Sequence, residues 1–79
     1  MSIYAIKVIN IKGITTSFEL ASDIKMSIFM KAYCRLFKLE KSNDVIFTLD
    51  GSKINESDTP KPLGMDKNVE NLIDVFYRK

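Results

Sequence analysis

The chain has 79 residues, 46% of them hydrophobic, with 12 Lys or Arg against 10 Asp or Glu and no histidine. That length suits one domain, expected over residues 1–79, whose small core claims most of the apolar side chains and leaves little for a deep pocket. The lack of histidine and the single cysteine, Cys34, exclude a disulfide framework, a cysteine metal cage and histidine catalysis, so neither metal nor cofactor is expected.

Near the N-terminus, Tyr4, Ile6 and Val8 alternate with Ala5, Lys7 and Ile9, which predicts a strand with the first set facing a core. Lys12-Gly13 breaks it, and Thr16, Phe18 and Leu20 then alternate with Ser17, Glu19 and Ala21 in a second strand at hairpin distance. From Ser22-Asp23 the period changes. Asp23 is placed to cap a helix of about fifteen residues. Met26, Phe29, Met30, Tyr33 and Phe37 fall on its inner arc, with Leu36 at the margin. Ser27, Ile28, Lys31, Arg35 and Lys38 fall on the outer arc.

Ser42-Asn43-Asp44 has turn chemistry. Val45, Phe47 and Leu49 then predict a third strand. Asp50-Gly51 is the strongest hairpin signal in the chain, since a tight turn needs positive φ. A short strand through Ile54 and an irregular stretch holding Pro60 and Pro62 follow. Ile73, Val75 and Tyr77, alternating with Asp74, Phe76 and Arg78, predict the last strand. The economical arrangement is α+β: a mixed sheet of four to five strands with one helix on one face, the ubiquitin-like β-grasp.

Specific motifs carry a resemblance over nearly the whole chain. The helix holds Tyr33-Cys34, and the hairpin reads Phe47-Thr48-Leu49-Asp50-Gly51-Ser52-Lys53-Ile54. The irregular stretch reads Thr59-Pro60-Lys61-Pro62-Leu63-Gly64-Met65, and the last strand contains Ile73-Asp74-Val75-Phe76. In these blocks the chain resembles SUMO. The resemblance implies a non-enzymatic interaction domain of the SUMO pathway, intracellular, in the nucleus or cytoplasm.

Departures from the family bear on function. The sequence stops at Arg78-Lys79 with no Gly-Gly tail, and no long N-terminal extension precedes the first strand. The expectation is either a trimmed sequence or a protein that is not conjugated. SUMO binds hydrophobic-acidic peptides as an added strand between the second strand and the helix. Alignment puts Glu19, Ala21, Ile28 and Leu36 where the family has Lys or Arg, while Phe18, Leu20 and Phe29 keep the apolar floor. Weak or absent binding of ordinary SUMO-interacting motifs is therefore expected.

In SUMO, the hairpin and the acidic loop before the last strand bind the basic N-terminal helix of the SUMO-conjugating enzyme. The resemblance assigns that role here to Asp50, Asp66 and Glu70. Lys67 dilutes the charge, Ile46 replaces the family's Arg, and the loop Asp66-Lys67-Asn68-Val69-Glu70-Asn71 is longer by two residues.

Other features read more plainly. Residues 1–41 hold seven basic and three acidic side chains and residues 42–79 five and seven, a split of +4 and −2. Lys31, Arg35 and Lys38 form a basic helix face, expected to be solvated, with an acidic partner or nucleic acid as the alternative. The pI of 8.7 falls short of the usual nucleic-acid binders, so no specific nucleic acid is expected. No apolar run reaches the roughly 18–20 residues of a membrane span, and no signal-peptide layout is present.

Cys34 reads as a structural thiol, having no histidine to activate it. Exposed Ile28, and Ile46 with Thr48 on the outer sheet face, are ordinary surface residues or partner contacts. Phe37-Lys38-Leu39-Glu40 fits the SUMO-acceptor pattern and Asn55-Glu56-Ser57 the glycosylation sequon, both short enough to arise by chance. The carboxylates Asp44, Asp50, Asp66, Glu70 and Asp74 imply no cleft, and no enzyme is expected.

Three readings stay open: a monomeric docking module for the SUMO-conjugating enzyme, a divergent lysine-attached modifier lacking its tail, and an assembly domain using new surfaces such as Ile28 and Leu36.

Overall fold

Alternating β-branched and aromatic residues build β1 (Ile3–Ile9), which buries Tyr4, Ile6 and Val8. The computed structural model describes residues 3–39 and 45–77. After β1, the buried Asn10 organises the turn. Its Oδ1 accepts from the amides of Lys12 (2.9 Å) and Ile14 (3.0 Å), and Gly13 supplies the φ of 79° that closes it. β2 (Thr15–Ala21) returns antiparallel, with Phe18 opposite Ile6.

The helix α1 (Met26–Leu36) has 11 residues and is shorter than its apolar period predicts. Asp23 does not cap it. Lys25 holds the N-cap position without a side-chain bond, and the amides of Met26 and Ser27 donate to the carbonyls of Asp58 (2.8 Å) and Glu56 (2.9 Å). A turn from the second half of the chain thus satisfies donors that otherwise need a capping side chain.

At its other end α1 closes through a Schellman-type motif. The Leu39 amide donates to the Cys34 carbonyl at 2.8 Å, and Lys38 sits at a φ of 57°. Lys38 therefore lies beyond the helix, not on its face. Leu36 is 59% exposed, and Cys34 is buried in its stead.

β3 (Val45–Leu49), β4 (Ser52–Lys53) and β5 (Asn71–Tyr77) complete a five-stranded sheet in the order β2-β1-β5-β3-β4. β1 and β5 run parallel at its centre, and the other neighbours are antiparallel. Asp50 and Gly51 turn β3 into β4 with φ of 53° and 81°, the pair of positive values a two-residue hairpin demands. β4 ends before Ile54, whose amide still donates to the Phe47 carbonyl at 2.8 Å.

This is the α+β β-grasp. The helix covers one sheet face, and Phe29 is central to the contact, meeting Phe18 at 5.2 Å and Phe47 at 5.5 Å in edge-on geometry. Each such side chain, fully buried, contributes about 1.5–3 kcal/mol. The turn at Ser42-Asn43-Asp44, together with Glu40 and Arg78, lies outside the described residues.

Candidate functional site

The acidic loop is braced from beneath by Asn71, the first residue of β5. Asn71 Oδ1 accepts the Asp66 amide at 2.9 Å, while Nδ2 donates to the carbonyls of Asp66 (2.9 Å) and Ala5 (3.1 Å) and more weakly to Val69 (3.3 Å). Asp66 Oδ1 in turn accepts the Asn68 amide at 2.8 Å. One buried amide thus fixes the loop and fastens it to β1.

Asp66 and Glu70 stand exposed on this brace. Asp50 is exposed at the β3–β4 tip and joins them at the same end of the sheet, because Leu49 pairs with Ile73, two places beyond Asn71. Lys7 lies 3.5 Å from Glu70, with both side chains over 40% exposed, so the pair removes some of the negative charge.

The seven positions that the resemblance assigns to an altered peptide groove are divided. Leu20 and Phe29 are closed into the core, and Phe18 is half-buried against Phe29. Glu19 and Ala21 alternate with them and so face the other side of β2, away from α1. Ile28 (58% exposed) and Leu36 stand on the helix surface. The helix contributes only Lys31 and Arg35 to its basic face, and both are exposed.

Cys34 is buried, and burial pushes its thiol up, the opposite of an activated thiolate. Tyr33 is fully buried, and its hydroxyl also titrates above its ordinary value, chiefly from burial and then from neighbouring Tyr77. Tyr33 Oη lacks a well-formed hydrogen bond, although Asn10 is among its polar neighbours. Among the described residues no group of three or more Cys, Asp or Glu is placed to hold a metal ion. Asn55 is exposed in the turn whose carbonyls cap α1, and its amide donates to Asp58 Oδ2 at 2.8 Å.

Asn71 escaped the sequence reading. Extending the inward series of Val75 and Ile73 back by one step lands on residue 71, so strand periodicity carried the signal.

A family profile described as "Ubiquitin-2 like Rad60 SUMO-like" matches residues 4–76. The chain belongs to this SUMO-like family. The SUMO-like domain is 36% identical over 74 residues to small ubiquitin-related modifier 2 of Homo sapiens, covering 94% of this chain and 75% of that protein. It is equally similar to small ubiquitin-related modifier 2-A of Xenopus laevis, with the same coverage.

The solution structure of SUMO from Trypanosoma brucei superposes with a TM-score of 0.78 at 29% identity, over 100% of this chain and 74% of that one. Caldiarchaeum subterraneum ubiquitin superposes with a TM-score of 0.84 over 98% of this chain and 95% of its own. Its identity of 18% supports the fold alone.

Proposed function

We propose that this SUMO-like domain works by non-covalent docking on the SUMO-conjugating enzyme, with Asp50, Asp66 and Glu70 receiving a basic segment. The braced loop carries this reading. Asn71 holds the Asp66–Glu70 backbone in one shape at the end of the sheet where Asp50 projects, so little ordering is left to the moment of binding. Exposed acids on a fixed frame speed encounter with a basic partner and set its register.

The test is a calorimetric titration of the SUMO-conjugating enzyme with the wild type and with Asp66→Lys/Glu70→Lys. The double reversal also leaves Lys7 unpaired, so affinity should fall by more than about tenfold, or 1.4 kcal/mol. Equal affinity for the two proteins would sink the assignment.

A second reading, a lysine-attached modifier, draws on the 36% identity to proteins named small ubiquitin-related modifiers. Expressing the full gene product and looking for mass-shifted, denaturation-resistant conjugates decides between the two. Conjugates ending in a Gly-Gly linkage favour the modifier.

A further inference from the structure

On a sheet with one covered face, the open face ordinarily carries polar residues at alternate positions. β2 obeys, presenting Thr15, Ser17 and Glu19 to solvent. β3 and β5 do not. Ile46 and Phe76 lie directly opposite one another across these strands and are 43% and 51% exposed. Leu72 adds to the same face of β5, with Asp74 between it and Phe76. A cross-strand apolar pair gives the sheet only about 0.2–1 kcal/mol, which a half-buried polar pair can also supply.

The charge around the pair is unevenly placed. Asp74 lies beside it, and Asp50, Asp66 and Glu70 lie at the far end of the sheet with Lys67 in the same loop; the adjoining cations on β1 and β4 are Lys7, engaged with Glu70, and Lys53. From Glu70 to Phe76 is about 20 Å at roughly 3.4 Å per strand residue. A helix covers that distance in about thirteen residues.

We propose that Ile46 and Phe76 form the apolar half of a docking face whose acidic half is Asp50, Asp66 and Glu70. Its occupant is a basic amphipathic helix with a bulky apolar side chain nearly four turns beyond its basic end. The acidic residues select a basic partner and the apolar pair adds a second fixed point that discriminates among basic helices. This rests on the docking function proposed above and adds a specificity element to it.

The experiment titrates the SUMO-conjugating enzyme with the wild type, Asp66→Lys/Glu70→Lys, Ile46→Ala/Phe76→Ala and the conservative Ile46→Val/Phe76→Leu. Light scattering follows the oligomeric state. Both disruptive pairs should weaken binding about tenfold or more, and the conservative pair should stay within about threefold. Should the alanine pair unfold the sheet, Ile46→Thr alone keeps the β-branch and carries the same test.

If charge reversal abolishes binding while Ile46→Ala/Phe76→Ala binds like the wild type, the apolar element is wrong and the acidic docking stands. If the wild type does not bind, both fall. A dimer of the wild type that Ile46→Ala/Phe76→Ala dissociates would make a second copy the occupant and overturn the proposal.

Discussion

Asn71 joins the two ends of the chain, donating from Nδ2 to the carbonyl of Ala5 at 3.1 Å across 66 positions of sequence. The same side chain holds the Asp66 amide, so loop shape and sheet closure share one buried group. Asn71→Ala leaves these partners without their bonds and should cost about 2–3 kcal/mol, roughly 10–20 °C in Tm for a domain of this size. Thermal unfolding measures the loss, and faster amide exchange at Asp66 would locate it. An unchanged Tm would refute the brace.

Lys38 holds a backbone conformation that suits glycine, with a φ of 57° and an exposed side chain. Lys38→Gly relieves that strain at the helix terminus, against some gain of freedom in the unfolded chain. It should stabilise the domain by about 0.5–1 kcal/mol, read from the urea midpoint. A lower midpoint would mean that the lysine stem packs usefully.

Alkaline pH should weaken the fold. Burial raises the Cys34 thiol and the Tyr33 hydroxyl in the folded state, so above their ordinary values, about 8.5 and 10, the unfolded chain sheds these protons first. Their contribution is fully present below about pH 8.5 and is lost as pH rises through the folded values. Urea midpoints measured from pH 7 to 10.5 should decline, and Tyr33→Phe should flatten the upper part of the fall. Because Tyr33 Oη lacks a well-formed hydrogen bond, Tyr33→Phe should be neutral or slightly stabilising at pH 7.

An ordinary acidic SUMO-interacting peptide should bind weakly or not at all. Ile28 and Leu36 are exposed on the helix, where the resemblance to SUMO leads one to expect basic residues, and each missing surface pair costs roughly up to 1 kcal/mol. Ile28→Lys/Leu36→Arg should recover binding by about five- to tenfold in a fluorescence titration. Low-micromolar binding by the wild type would contradict this expectation.

Much of the fold was legible because its signals are local. The alternation of Tyr4, Ile6 and Val8 and the Asp50-Gly51 turn depend on residues adjacent in sequence, and both appear as read. The start of α1 was not legible. Its cap is made by carbonyls of Glu56 and Asp58, which carry no side-chain signature, so Asp23 looked better placed than it is. Lys38 hid the helix end for a similar reason, since glycine is the usual marker of that conformation. In the candidate site, the acids were visible as charges, but the brace beneath them looked like one more polar loop residue. The outward pair Ile46 and Phe76 became visible only once the register placed them opposite each other.

The parallel pairing of β1 with β5 has a consequence for how the protein is made. The domain's first strand lies at the centre of the sheet beside its last, and α1 takes its N-terminal bonding partners from Glu56 and Asp58. A nascent chain lacking Asn71–Tyr77 has an open seam in mid-sheet between β1 and β3. Cooperative folding of the domain should therefore wait until β5 has left the ribosome. Truncations ending before Asn71 should show no sharp unfolding transition, and a fragment supplying β5 in trans should restore one.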